Sequence, residues 1–344
     1  MNLRRSRFRI WILGLALGIV AFPSLQLGPA GYAELGAVFR ALGEKLGLAS
    51  EEASSKALGE ILLQLRAPRL VLGWLAGADL AVAGLILQTL FLNPLADAYV
   101  VGVSAGASLG AVAAFCLGFG LGGWGLNPVS GSAFVGALLA LLLVFALCNR
   151  EQRSATPSLL LAGLCVSALT QSVSTLLLLR SENTPLRSAL GWLMGSLAYR
   201  NWGDVQVLLP ASLLGIGGAW MFRDALNLLA MGSASAHHLG LSIKRTRLLL
   251  VALAALLASA AVSVCGLIGF VGLVVPNLLR LWNGPNHRAL LPLSALGGAL
   301  LLTLADLLNR LCFPSEELPV GIVTGVLGGL FLLRFVRVPS GERL

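Results

Sequence analysis

The stretch Leu90–Gly110 reads LFLNPLADAYVVGVSAGASLG and decides how the chain is built. Apolar sequence runs into it and out of it, and Asn93-Pro94-Leu95-Ala96-Asp97 interrupts it at the middle. Proline has no amide hydrogen and its ring clashes with the preceding turn, so a helix arriving through Gly84-Leu85-Ile86 ends at Pro94. Beyond the break, Gly102, Gly106 and Gly110 recur every four residues, with Ser104, Ala105, Ala107 and Ser108 between them. On a helix that spacing makes a face without side-chain bulk, against which a second helix packs closely. The stretch therefore reads as two helices joined by a turn. Whether the turn is a plain connection or part of a gate depends on where it lies.

Composition supplies the solvent. Of 344 residues, 57% are hydrophobic and 11% charged, with a mean hydropathy of +0.88. Soluble domains carry about 25% charged residues, so most of this chain faces lipid. The 41 glycines suit membrane helices in close contact. A formal charge of +9 could suggest nucleic acid, but the basic residues lie between apolar runs and form no patch, which indicates orientation in an anionic membrane. The five cysteines, Cys116, Cys148, Cys165, Cys265 and Cys312, are scattered without a CxxC pair, so neither a disulfide framework nor a zinc site is expected.

A spanning helix needs about 20 apolar residues. Such runs occupy 8–27, 69–91, 98–120, 130–148, 157–179, 205–222, 247–265, 266–282, 290–311 and 319–337, with a short partial helix at 186–200. The fold class is therefore an all-α polytopic membrane protein with about ten transmembrane helices, in a single domain over 1–344. The first run follows RRSRFR without a small-x-small cleavage site, and reads as an uncleaved span and not a secretory signal. With the N-terminus inside, the inside segments hold 15 basic residues and four acids, while the outside segments balance nine against nine. That asymmetry puts both termini in the cytoplasm. It places the turn at 93–97 at the inner end of the second span. Residues 28–65 become an outside loop with a short amphipathic helix near 34–47, and 223–247 the largest inside connection.

Two segments begin alike, GLILQTLFLNP (Gly84–Pro94) and GLIGFVGLVVP (Gly266–Pro276), and PSLLLAG and PVGIVTG share a Pro and Gly six apart, a weak internal repeat of the kind transporters show. GFGLGG at 118–123 lacks a strand–helix context and reads as a turn. No GxxxxGK[ST] loop is present, so ATP hydrolysis by that chemistry belongs to another chain. No nucleophile or metal cluster supports a membrane-embedded enzyme, and no catalytic residue, metal or cofactor is expected.

The polar residues inside apolar runs are the functional candidates. Asp306 has Arg310 one turn away and reads as an ion pair near the outer surface. Asp79 has no local partner. It pairs with another helix or faces a water-filled path, where a proton-coupled secondary transporter would use it. Arg66, Arg69 and Arg310 lie at the outer ends of their spans, as headgroup anchors or as cations for carboxylates on an external partner. His237 and His238 are adjacent and project apart, which disfavours a shared metal. Their segment, MGSASAHHLGLSIKRTR, looks like a short helix that docks into another protein's groove.

LRAPRLVLGWLAGADLAVAGLILQ, NPLADAYVVGVSAGASLGA, SLLLAG, GLIGFVGLVVPNLLR, HRALLPLSALGGALLLTLADLLNR and ELPVGIVTG follow one another in the order found in FecCD-type permease subunits of bacterial ABC importers, which this chain resembles. The resemblance implies a type II ABC importer permease fold in the bacterial inner membrane. It pairs with a second permease copy, identical or paralogous, around a central pathway. Two copies of an ATP-binding subunit dock below and a periplasmic substrate-binding protein delivers cargo from above. Lipid surrounds it and nucleic acid has no part. The cargo implied is an iron(III)-siderophore first, with haem and vitamin B12 as alternatives. Carried over by position, Arg66, Arg69 and Arg310 receive acidic residues of the binding protein. Gly232, Ala236, Leu239 and Gly240 contact the ATPase, and Asn93, Leu95 and Thr156 close the pathway on the cytoplasmic side. This sequence departs from the family at Ser233 and Ser235, where an acidic residue is common. Asp79 replaces a small apolar residue, Asn277 replaces a frequent His, and GVLGGLFLL replaces a commoner ending with Pro and Phe.

Overall fold

The computed structural model describes residues 3–28, 31–32, 59–99, 102–118, 128–148, 155–180, 186–313 and 318–337. Helices dominate, because a chain in lipid must satisfy its backbone within each segment. They are α1 (Leu3–Gln26), α2 (Ala67–Phe91), α3 (Val103–Cys116), α4 (Pro128–Cys148), α5 (Ala155–Arg180), α6 (Leu186–Leu193), α7 (Trp202–Met221), α8 (Arg223–Ala230), α9 (Ser233–His238), α10 (Ile243–Cys265), α11 (Val271–Asn283), α12 (His287–Cys312) and α13 (Val320–Arg337). Two two-residue strands, β1 (Leu27–Gly28) and β2 (Gly31–Tyr32), pair antiparallel after α1. The amphipathic helix expected near 34–47 and most of the GFGLGG turn lie outside the described residues.

Each of the ten apolar runs contains a helix, but not every helix is long enough to span. Among the described residues, six are long and apolar enough to cross a membrane by length and composition. The expected span 266–282 is broken. Residues 266–270 are irregular, and only the 13-residue α11 remains helical. The second span is longer than its hydropathy indicates. A π-helix at Ile61–Arg66 leads directly into α2, so the outer connection ends earlier than residue 65. The widened π turn leaves backbone groups off the α-helical ladder, and Trp202 Nε1 donates to the Leu63 carbonyl at 2.7 Å.

α2 and α10 form the centre. Within the apolar stretches of these helices 83% and 72% of residues are buried, against 11% for α1 and 17% for α5, whose outer faces are left for lipid or another chain. Small residues allow the central helices to approach at backbone distance. A Cβ on Gly77 would overlap the Gly298 carbonyl of α12, and one on Gly84 would overlap Gly272 of α11. The four-residue glycine spacing works as expected for Gly106 and Gly110, which press on Gly136 and Ser132 of α4. Gly102 differs. It is the residue preceding α3, at φ 88°, a conformation glycine adopts without strain.

Candidate translocation gate and docking sites

The turn after α2 is built by its own residues. Leu92 adopts φ 48°, its amide donates to the Thr89 carbonyl at 3.4 Å, and the Asn93 amide donates to the Gln88 carbonyl at 3.1 Å. These two bonds make a Schellman closure with leucine where glycine is usual. Asn93 Oδ1 then accepts the Leu95 amide at 2.9 Å. Leu92 and Leu95 point out of the protein, whereas Ala96, Asp97 and Ala98 are buried. The side chain of Thr156, the third expected gate residue, lies outside the described residues.

The buried half of the turn is fastened to α11. Pro276 has no amide hydrogen, so the carbonyl of Gly272, four residues earlier, lacks its helical donor. Gln88 Nε2 supplies one at 3.1 Å. The other end of that amide, Gln88 Oε1, accepts from Arg280 Nη2 at 3.0 Å, and Arg280 Nη1 donates to Asn277 Oδ1 at 2.9 Å. Asn277 Nδ2 donates to the Pro94 carbonyl at 2.7 Å. Asn277, a departure from the family pattern, therefore braces the turn itself. Asp97 accepts the Ala98 amide at 2.7 Å and the backbone amide of Phe270, which enters α11 at φ 66°. A carboxylate at a helix N-terminus meets amides without partners and the positive end of the helix dipole. Burial still pushes the Asp97 pKa up, to about 6, with the two amide bonds opposing the rise.

At the end of the bundle expected to face outward the three arginines gather, but their donors are engaged within the protein. Arg69 holds Asp306 through Nη2 at 2.8 Å and Nε at 3.2 Å, and Arg310 Nη2 holds the same carboxylate at 2.6 Å. The Asp306–Arg310 pair expected from spacing is thus present, with Arg69 added from α2. Arg310 Nη1 donates to the carbonyls of Ser24, at 2.8 Å, and Leu27, while Arg66 Nη1 donates to those of Leu25, at 2.8 Å, and Gln26. The last turn of α1 has carbonyls without helical donors, and two guanidinium groups satisfy them. Arg66 and Arg69 are each 7% exposed. Direct contact of these two with an outside carboxylate is therefore not available in this state, because their donors already face inward.

In the connection expected on the cytoplasmic side, α8 and α9 form a short helical pair joined through Gly232 at φ 95°. Leu239 and Met231 are exposed, and Gly240 turns the chain at φ 83° toward α10. Ala236 corrects an expectation. It is 0% exposed, so it packs α9 onto its neighbours and cannot itself touch a partner. Arg247 Nη2 reaches Ser233 Oγ at 2.7 Å, a contact within the chain at one of the two serines that replace an acid. His237 and His238 have ring centroids 6.4 Å apart, and both are exposed.

Asp79 does have a partner on another helix. Ser212 Oγ of α7 donates to its Oδ2 at 2.6 Å, and the residue is 0% exposed. It is buried where α2 meets α7, and its Oδ1 has no hydrogen-bond partner among the described residues. A cavity of about 220 Å³ lies elsewhere, lined by Tyr99, Met194, Leu267, Phe270, Gly321 and Ile322 among others. Its walls are the segment before α3, the breaks after α6 and α10, and the first turns of α13, where helix breaks open space that continuous helices would fill.

Sequence reasoning missed Gln88, Asp97 and Arg280 as parts of the site. Gln88 and Arg280 lie inside apolar runs and carried the same signal as Asp79, a polar group in a costly place. Asp97 stood in the quoted turn but counted only as one of the inside acids.

A profile of the FecCD transport family matches residues 16–338. The cobalamin import system permease protein BtuC of Halobacterium salinarum is 42% identical over 79% of this chain and 72% of its own. The hemin transport system permease protein HmuU of Yersinia pestis is 38% identical over 93% and 94%. The Fe(3+) dicitrate transport system permease protein FecD of Escherichia coli is 41% identical over 78% and 82%. Among solved structures, an inward-facing conformation of a metal-chelate type ABC transporter matches with a TM-score of 0.80 at 29% identity, over 97% of this chain and 100% of that one.

Proposed function

The chain belongs to the FecCD transport family, and from that premise we propose that it passes an iron(III)-siderophore from a periplasmic binding protein to the cytoplasm. It is the permease of an ABC importer, a transport subunit with several membrane helices. The observation that carries the cargo reading is the likeness to a metal-chelate type transporter across nearly the whole chain. Cobalamin, haem and ferric dicitrate, named for the relatives, share one chemistry, a metal ion wrapped in an organic ligand. Such a cargo presents a large, mostly organic surface and has no need of a tight polar grip. An apolar cavity beside helix breaks suits passage of that kind.

The mechanism is alternating access, powered by ATP on two separate subunits below. Leu239, flanked by the hinge-like Gly232 and Gly240, offers the exposed apolar contact for one of them. The turn at Asn93 and Leu95, together with Thr156, is the inner gate, and a second permease copy completes the pathway. The arginine cluster at the outer end, three cations of which two hold Asp306, attracts an acidic binding protein at a distance even where its donors are engaged. ATP below and the loaded binding protein above each favour one state of the gate, which couples them by population shift. The membrane is the bacterial inner membrane, with both termini cytoplasmic.

The test is growth on single ferric-siderophore, haem and cobalamin sources, with and without the gene. Loss confined to a siderophore supports the cargo, and loss confined to haem or cobalamin replaces it. Uptake in vesicles that survives ATP depletion but stops when the proton gradient collapses would overturn the ATP-driven reading altogether.

A further inference from the structure

His287, the first residue of α12, is 2% exposed and engages three helices at once. Its backbone amide donates to Asn227 Oδ1 of α8 at 2.9 Å. An amide can only donate, so this bond sets which way the Asn227 side chain is turned. The ring Nδ1 lies 3.0 Å from the same Oδ1 and therefore carries hydrogen. In a neutral ring Nε2 is then an acceptor, and the Thr89 hydroxyl of α2, 2.8 Å away, is its donor, with the Leu85 carbonyl at 2.8 Å competing for that one hydrogen. The attachment to α8 is reinforced on both sides, by Asn227 Nδ2 on Asn286 Oδ1 at 3.3 Å and by Arg288 Nε on Asp224 at 2.7 Å. α8 leads through Gly232 into α9. Thr89 adjoins Gln88, whose carbonyl closes the inner turn and whose side chain holds α11.

We propose that His287 is the joint that carries movement of α8 and α9 to the inner turn at Leu92–Asp97. Exposed contacts between helices can slide, because water replaces each bond as it breaks. A buried ring engaged at both nitrogens cannot turn without leaving a polar atom unpaired in a dry site. A displacement of α8 therefore drags the last turn of α2, and with it the residues that close the gate. His287 is a positioning residue and touches no cargo. The proposal rests on the reading of α9 as the ATPase contact.

The experiment uses the full complex in inside-out vesicles, with cysteine introduced by Leu95→Cys. Its labelling by a membrane-impermeant maleimide is followed with and without ATP plus vanadate, and the signal of the native cysteines is subtracted. In the parent, nucleotide changes the labelling rate several-fold. His287→Phe keeps the volume and Thr89→Val keeps the shape, and each removes the bond. Both bring the nucleotide effect close to one while the assembled complex hydrolyses ATP within twofold of the parent rate, and His287→Gln, which can keep one of the two bonds, restores part of the effect. A full nucleotide effect in His287→Phe overturns the proposal, and so does loss of assembly or ATP turnover in step with it, which would make the residue merely structural. A parent without a nucleotide effect overturns it too. Failure of the underlying ATPase-contact reading shows separately, as unchanged assembly in Leu239→Asp.

Discussion

Gln88 donates its side-chain amide to the carbonyl of Gly272 at 3.1 Å, the one carbonyl that Pro276 leaves without its helical donor. Two features that look unrelated in sequence, a glutamine in one apolar run and a proline in another, are the two halves of one contact. Replacing Gln88 by Leu strands that carbonyl and removes an acceptor from Arg280. The expected cost is about 1–3 kcal/mol per stranded buried group, read as a lower midpoint of thermal unfolding in detergent. Gln88→Glu keeps an acceptor for Arg280 but has no donor for Gly272, so it recovers only part of the loss.

The helix contacts through Gly77–Gly298 and Gly84–Gly272 leave no room for a methyl group. Gly77→Ala and Gly84→Ala each force backbone apart and are expected to destabilise by about 1–3 kcal/mol. Gly14→Ala, which meets nothing within 4 Å, is the matched control and is expected to be neutral. Equal unfolding midpoints for all three variants would contradict the packing described.

Asp306 serves two arginines, so its loss is the heavier one. Asp306→Leu leaves Arg69 and Arg310 buried beside one another without their carboxylate, and a broken buried pair costs about 3–5 kcal/mol. Arg69→Met costs less, because Arg310 still neutralises Asp306 at 2.6 Å. The double variant Arg69→Met/Asp306→Leu is expected to be more stable than Asp306→Leu alone. Charge reversal at Arg66 or Arg310 removes bonds to the end of α1, so its effect on binding-protein docking is interpretable only beside an unfolding curve.

The Asp97 carboxyl, in the segment between α2 and α3, is raised from 3.8 to about 6 by burial. Because the folded pKa exceeds the unfolded one, the native state binds a proton first as pH falls. This group therefore penalises folding above pH 6, and the penalty is relieved between about pH 6 and 3.8. The full difference is of order 3 kcal/mol. Relative to Asp97→Asn, which has no such titration, the wild-type protein should gain stability across that window. Parallel stability curves for the two proteins from pH 7 to 4 would exclude it.

Continuous apolar length located ten runs that each contain a helix, because lipid demands apolar length of any spanning segment. The same property hid their interruptions. Residues 266–270 are as apolar as the helices around them, and only the contacts of Gly266 and Phe270 with other segments explain the break. The π-helix at Ile61–Arg66 was equally invisible, since its composition differs little from an α-helix and its displaced carbonyl is satisfied by Trp202, 139 positions away.

The candidate residues divide in the same way. Asp306 with Arg310 was readable because helical spacing puts positions four apart on one face. Arg69, 237 positions away, could join them only in three dimensions. Ala236 shows the limit from the other side. A small residue in a docking segment looks like contact surface until the fold buries it completely.

By itself, the sequence determined the solvent, the helical segments and the family, since hydropathy acts locally and motifs keep their order. Tertiary structure decided what each polar residue does. A buried donor or acceptor takes its role from whatever stands within about 3 Å of it, and no spacing along the chain states that. The Asn-Pro-Leu-Ala-Asp turn makes the point. Pro94 was bound to end a helix anywhere, but Asn277 on its carbonyl and Phe270 on Asp97 are what make it a braced element between α2 and α3.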